Sequence, residues 1–336
     1  MSRRNLVVPG TGGVLFQDAT GKQLGSVFDL IFNPGTRDVL KCEHSKDQRE
    51  LEPLATSGKP GVALTGRGYM SAAYSLMEQS LAPKWTFWDY DWRLDIRHSG
   101  RKLAQFLRSG ARPPGQEQSR WHITCHSQGG LVLLWAARVL GEDVFAALVH
   151  SVVFVGVPFF GTFNALEALT EGYFINRSIP VQVGRTWPSL YQMLPQWGIA
   201  GAQEPDGRVL LNETWDAAGL FPPNPDAIDL ERHIDPYLLE RARATYQTTQ
   251  VNSFKYLSKL RYVRVIFGMG EDTSVAVSAF PKMKPATLRD GDSLVPHDLT
   301  YQLLPRWFRD EANVKRFVAG PHSLLCADRN VYDWCV

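Results

Sequence analysis

The chain has 336 residues, 44% hydrophobic and 21% charged, with a mean hydropathy of -0.20. That much apolar material excludes long disorder and suffices for one α/β domain, with or without a smaller cap. Lys and Arg total 36 against 34 Asp and Glu, a net charge of +2, and the basic residues form no aromatic-interleaved stripe. Nothing in that balance points to nucleic acid or to electrostatic attachment to an anionic membrane.

The first residues carry two arginines but no apolar run of signal-peptide length. Leu6–Val8 reads instead as a first strand, stopped by the glycine-rich turn Pro9-Gly10-Thr11-Gly12-Gly13. No segment approaches about 18 consecutive apolar residues, so no transmembrane segment is expected, and a cytoplasmic location is. Val27–Phe32 fits a second strand, and the polar text from Pro34 to Gly61 fits a long surface excursion. Between Thr65 and Leu81, residues Tyr69, Ala72, Ala73, Leu76, Met77 and Leu81 give a helical apolar stripe. Trp85–Trp88 reads as a strand, and Ile96 to Leu107 as a helix stopped near Gly110 and Pro113-Pro114.

The central unit follows: strand Trp121–Thr124, a turn at Ser127, helix Gly129–Leu140, and the nearly continuous apolar strand Leu148–Val155. This β-turn-α-β order predicts a mostly parallel sheet with helices on both faces. Residues 160–258 change rhythm, rich in Gly, Pro, Trp and Tyr, with one clear helix for which Asp235 suits the N-cap and Pro236 the first turn. Tyr262–Phe267 resumes a core strand, Leu299 to Phe308 is mostly helical apart from Pro305, and Val314–Val318 is the last strand. The expected organisation is a core of 1–159 and 259–336 interrupted by a cap insertion at 160–258.

Cys42, Cys125, Cys326 and Cys335 lack the CxxC pairing of a zinc site, and free thiols are expected in preference to a Cys326–Cys335 bridge. The glycine-rich turn after the first strand lacks both GK[ST] and GxGxxG, which leaves phosphate and dinucleotide binding unsupported. No metal and no organic cofactor is expected.

Cys125-His126-Ser127-Gln128-Gly129-Gly130, between a strand and a helix, has the form of a nucleophile elbow. Such a turn demands small residues two before and two after its nucleophile; Gly129 meets the second demand, and Cys125 stands where glycine is usual. The bland alternative is that Ser127 merely caps a helix. An elbow exposes Ser127 Oγ at the sheet edge and aims the Gln128 N–H at a developing oxyanion. The second oxyanion donor belongs on a loop after an early strand, where Thr11 is the choice and Gly12 the neighbour.

A serine needs an imidazole base and a carboxylate that fixes its tautomer, in the chain order Ser, acid, His. His322, after the last strand, suits the base, with His297 the alternative. Asp292 is the preferred acid, Asp272 a competitor and Asp290 a lesser one. His126 adjoins the serine, but its side chain should diverge from Oγ in an elbow, which leaves it to pack or orient neighbours.

In order along the chain come Val8-Pro9-Gly10, Tyr90-Asp91-Trp92-Arg93, His126-Ser127-Gln128-Gly129-Gly130, Gly156-Val157-Pro158-Phe159-Phe160-Gly161, Pro188-Ser189-Leu190-Tyr191-Gln192-Met193-Leu194-Pro195, Gly291-Asp292-Ser293-Leu294-Val295 and His322. With these motifs the chain resembles the lecithin:cholesterol acyltransferase-like family of α/β-hydrolases, which includes lysosomal phospholipase A2 and phospholipid:diacylglycerol acyltransferases. The resemblance implies Ser127 as nucleophile, Asp292 as acid, His322 as base, a cap over the site and an ester or acyl-lipid substrate.

Asp91 and Arg93 are expected to tie loops together, and Met193 and Leu194 to fill the cap core. Trp92, Trp187 and Trp197 are expected at the substrate, with the cap in contact with a membrane surface. Hydrolysis of lipid esters through an acyl-enzyme is the leading expectation. Acyl transfer to an alcohol and a non-catalytic hydrolase-like binding protein are the alternatives.

Overall fold

Strands buried on both faces need near-continuous apolar sequence, and the computed structural model sets the apolar runs side by side in one parallel sheet. It describes residues 4–13, 40–42, 85–109, 120–172, 179–195, 218–224, 228–249, 253–277, 285–310, 312–318 and 321–331, with short pieces at 16–17, 23–24, 52–53, 74, 77 and 215–216. The expected strand Val27–Phe32 and most of the expected helix Thr65–Leu81 lie outside these residues, although Tyr74 and Met77 are helical and buried.

In chain order, β1 (Arg4–Val8) precedes three two-residue strands, β2 (Phe16–Gln17), β3 (Gln23–Leu24) and β4 (Glu52–Pro53), which pair in a small antiparallel sheet. Then come β5 (Trp85–Phe87), α1 (Ile96–Ser109), β6 (Trp121–His126), α2 (Gln128–Leu140), α3 (Glu142–Leu148) and β7 (Val149–Val155). The segment 160–258 carries α4 (Phe163–Thr170), the short α5 (Val181–Gly184) and α6 (Pro188–Gln192), and α7 (Pro236–Thr249). The chain returns through β8 (Tyr262–Met269), β9 (Glu271–Val277), β10 (Pro285–Gly291), α8 (His297–Leu303) and β11 (Val314–Val318).

The main sheet runs β11-β8-β7-β6-β1-β5 with every neighbouring pair parallel. Its register sets Val8 beside Cys125, His126 beside Val155, and Val155 beside Ile266. The loops leaving β1, β6 and β7 therefore open at one edge, the carboxyl end where open α/β sheets bind ligands.

Two elements depart from the sequence reading. Residues 271–277 and 285–291 form an antiparallel hairpin, a pair of strands that the sequence reading does not include. Alternation of Thr273, Val275 and Val277 is the strand signal that the sequence holds there. Segment 160–258 also holds α4, capped by Thr162 Oγ1, which accepts from Asn164 N–H at 3.2 Å. Asp235 caps α7 as expected, its Oδ1 accepting from Tyr237 N–H at 2.9 Å and Leu238 N–H at 3.3 Å.

Asp95 ties three helices together. It starts α1, its Oδ1 accepting from Arg97 N–H and from Gln192 Nε2 of α6, both at 2.8 Å, while Oδ2 pairs with Arg97 and with Arg241 of α7. Burial opposes ionisation of Asp95, but the bonds from Arg97 and Gln192 and the charges of Arg97 and Arg241 outweigh it, bringing the pKa from 3.8 to about 2. The folded carboxyl thus binds its proton more weakly than the unfolded one. Its stabilisation, roughly 2 kcal/mol, is complete above the unfolded pKa and is lost as pH falls through the folded one. Asp95→Asn is expected to lower unfolding free energy at pH 7 by roughly that amount and to flatten stability between about pH 4 and pH 2. Urea titrations across that range check this; equal midpoints for both proteins at pH 7 would contradict it.

Candidate active site

β6 ends at His126, and the chain reverses sharply at Ser127 before α2 begins at Gln128. Ser127 has φ 51° and ψ −130°, a backbone state that a non-glycine residue holds only where its surroundings impose it. Here Ser127 N–H donates to Val155 C=O at 3.0 Å, and Ser127 C=O accepts from Gly130 N–H at 3.0 Å. The side chain caps nothing, so the helix-cap alternative does not describe Ser127. At Gly129 a Cβ would lie 2.3 Å from the Val8 carbonyl oxygen, so only glycine lets α2 start this close to β1. Cys125 is fully buried, and burial pushes its thiol well above the ordinary cysteine range; it packs in the core.

The hairpin β9–β10 returns the chain to the sheet edge at Asp292, which is fully buried. Oδ1 accepts from Leu294 N–H at 3.0 Å and Val295 N–H at 2.7 Å, a turn made possible by Ser293 at φ 72°. Oδ2 lies 2.8 Å from His322 Nδ1, and the His322 N–H donates to the Asp292 carbonyl at 2.7 Å. Gly156, at φ 53° just after β7, leaves room for this pair: a Cβ there would sit 3.1 Å from both Asp292 Oδ2 and His322 Cε1. A carboxylate only accepts, so Nδ1 carries the proton and Nε2 offers a lone pair. Nε2 is buried with no hydrogen-bond partner among the described residues.

The competing acids lie elsewhere. Asp272 and Asp290 face each other across the hairpin, and Asp290 accepts from Gly270 N–H and neighbours His297. His297 lies between Asp290 and Asp298, its Nε2 2.7 Å from the latter.

Ser127 and His322 line one cavity together with Thr11, His126, Pro158, Thr162, Asn164, Ala165, Leu190, Met193 and Leu294. Its apolar wall is Pro158, Ala165, Leu190, Met193 and Leu294. Met193 is buried in the core as expected and also lines the cavity; Leu194 is fully buried.

The loop after β1 is fixed on three sides. Tyr90 Oη donates to Pro9 C=O at 2.9 Å, Gly10 N–H donates to Tyr74 Oη at 2.8 Å, and Thr11 Oγ1 donates to Gln128 Oε1 at 2.6 Å. The other end of the Gln128 amide donates to Trp92 C=O at 2.9 Å. Gln128 therefore fixes Thr11 beside the start of α2, whose first N–H groups precede the intrahelical ladder.

Trp92 and Trp187 lie differently from expectation. They pack edge to face at 5.0 Å, both buried, and neither lines the cavity. Trp187 is fully buried because its indole N–H donates to Leu40 C=O at 2.7 Å while its ring fills the core. Trp197 lies outside the described residues, as does Cys335. Asp91 and Arg93 tie loops as expected: the guanidinium holds both carboxylate oxygens, at 2.9 and 2.6 Å, and donates to Leu40 C=O at 2.9 Å. Among the described residues, no cluster of three or more His, Cys, Asp or Glu could hold a metal ion, and no helix is long and apolar enough to cross a membrane.

No protein-family model matches the chain, and neither does any curated protein sequence. Solved structures do. A chain of the Tle4–Tli4 complex is similar at TM-score 0.59 and 12% identity, covering 98% of this chain and 96% of that one. The Bacillus licheniformis lipase BlEst2 in mature form is similar at TM-score 0.41 and 11% identity, covering 97% and 86%. Phospholipase PlaB from Legionella pneumophila is similar at TM-score 0.32 and 10% identity, covering 84% and 45%. At 12% identity the likeness to the Tle4–Tli4 chain is one of fold, and together with the six-stranded parallel sheet and the strand–turn–helix at Ser127 it makes this chain an α/β-hydrolase fold.

Proposed function

We propose that the chain is a serine hydrolase of carboxylic esters in lipids, lipase- or phospholipase-like, working through an acyl-enzyme. One observation carries the reading: a serine on a strained elbow shares a cavity with an imidazole whose Nδ1 is held by a buried carboxylate and whose Nε2 has no partner among the described residues. In this reading His322 Nε2 takes the Ser127 proton as Oγ attacks the ester carbonyl. The backbone N–H groups of Thr11 and Gln128 receive the oxyanion. Protonated His322, steadied by Asp292, gives its proton to the departing alcohol, and water, activated by the same imidazole, releases the acid.

The apolar wall of Pro158, Ala165, Leu190, Met193 and Leu294 favours an acyl chain over a polar group. Thr162, Asn164, Ala165, Leu190 and Met193 come from segment 160–258, which supports its assignment as a cap over the site. The sequence motifs resembling the lecithin:cholesterol acyltransferase-like family support the same chemistry and make acyl transfer the competing outcome.

Turnover of a labelled phospholipid or p-nitrophenyl ester, with and without a lipid alcohol, decides between them. Free fatty acid is the expected product. Acylated alcohol as the main product would overturn hydrolysis, and a folded protein with neither turnover nor labelling by a fluorophosphonate would overturn the enzyme reading. The Gln128 amide adds a sharper expectation. Gln128→Ala keeps the backbone donor but unpins Thr11, so kcat should fall about 10- to 100-fold with KM changed less than about threefold. Unchanged kcat would remove Thr11 from the oxyanion site.

A further inference from the structure

His126 adjoins the nucleophile, lines the same cavity and is almost fully buried, yet no step of the proposed reaction uses it. Its two ring nitrogens face two different parts of the chain. Nε2 lies 3.3 Å from the carbonyl oxygen of His322, 196 positions away in the chain. Nδ1 lies 2.6 Å from the hydroxyl of Tyr74, and that hydroxyl accepts the N–H of Gly10 at 2.8 Å.

The partners determine the protons. Only a ring N–H can bond a carbonyl, so Nε2 carries the hydrogen. Burial, and next the adjacent His322 ring, hold the His126 pKa well below the ordinary imidazole value, so the ring is neutral and Nδ1 accepts. Tyr74 Oη, already accepting from Gly10, then donates to Nδ1. The result is one directed chain: Gly10 N–H to Tyr74 O–H, Tyr74 O–H to His126 Nδ1, and His126 Nε2–H to His322 C=O. Packing supports every link. The His126 and His322 rings lie 4.8 Å apart, and the Tyr74 ring meets His126 at 5.6 Å and Phe87 at 6.4 Å, edge to face in both cases. Tyr74 is fully buried in an apolar cluster that also contains Leu325 and Cys326 of the 3-10 turn His322–Ala327.

We propose that Tyr74 and His126 are positioning residues that lock the oxyanion loop Pro9–Gly13 and the base loop at His322 to each other across the nucleophile. This rests on the hydrolase reading above. Thr11 is the next residue after Gly10, and the carbonyl that His126 holds belongs to His322 itself, so one rigid bridge sets the donor and the base together. A displacement of about 1 Å in such groups costs on the order of 100-fold in rate while leaving ground-state binding nearly unchanged.

The test uses the full chain and p-nitrophenyl butyrate, with the rate of fluorophosphonate labelling and thermal unfolding measured alongside. Tyr74→Phe keeps the ring and deletes only the hydroxyl link. It is expected to lower kcat about 10- to 100-fold, to slow labelling in parallel, and to leave KM within about twofold. His126→Leu should do the same, and the double variant should be no worse than the poorer single one, because one chain is broken in each case. His126→Gln, whose amide N–H can still reach the His322 carbonyl, should recover part of the loss seen in His126→Leu. These variants share no single fold risk, and either single variant tests the bridge if it folds. Wild-type kcat in Tyr74→Phe or His126→Leu, or losses that multiply in the double variant, would overturn the bridge while leaving the hydrolase reading intact. A wild-type protein that neither turns over the ester nor labels at Ser127 would overturn both.

Discussion

Ser127→Ala is expected to lower kcat/KM for ester hydrolysis by about 10^4- to 10^6-fold, with whatever remains coming from the oxyanion donors and the pocket. The loss should fall on kcat, because the methyl group leaves the cavity wall of Pro158, Ala165, Leu190, Met193 and Leu294 intact. Thermal unfolding should stay close to wild type, since Ser127 Oγ makes no cap bond that alanine would lose. Initial rates against ester concentration, on protein whose melting curve is recorded in parallel, measure both. A residual rate within tenfold of wild type would mean that another group attacks the ester.

Asp292→Asn has the second-largest expected effect, and its direction follows from hydrogen-bond polarity. The asparagine carbonyl would take the two N–H bonds now received by Oδ1, from Leu294 and Val295. The amide NH2 then faces His322 Nδ1, which must accept, and the imidazole proton moves to Nε2. An imidazole protonated at Nε2 cannot take the Ser127 proton, so kcat should fall about 10^3- to 10^4-fold at pH 7 with little change in KM. Asp272→Asn, on the hairpin strand β9 and opposite Asp290, should leave kcat within about twofold. The reverse ranking of the two variants would place the acid at Asp272.

The elbow was legible in the sequence because its signal is steric and local. A strand, a serine, a glycine two residues later and a helix leave few alternatives, and Cys125 in the glycine position is harmless because that side chain points into the core. The parallel sheet was legible for a related reason: the runs Val152–Val155 and Val265–Phe267 are continuously apolar, as strands covered on both faces must be. The proposed acid was less so. Residue spacing leaves Asp272, Asp290 and Asp292 in competition. What separates them is the hairpin β9–β10, whose short alternation is easily read as a polar turn, and which carries the chain away from the sheet edge and back before Asp292.

The tryptophans mark a different limit. Composition says that ten tryptophans need a core or a cleft, but not which, and Trp187 belongs to the core because Leu40, 147 positions away, supplies its acceptor. His126 is the same case. Its divergence from Oγ follows from the elbow alone, but its two partners, 52 and 196 positions away, exist only in the folded chain.

In the proposed reaction Ser127 is the group that becomes acylated. Incubating the protein with a fluorophosphonate and mapping the adduct by peptide mass tests it most directly. One equivalent on the peptide containing Ser127, absent in Ser127→Ala and strongly slowed in His322→Ala, is the result expected from an imidazole that activates Oγ. An adduct on another residue, or equal labelling of Ser127→Ala, would contradict it.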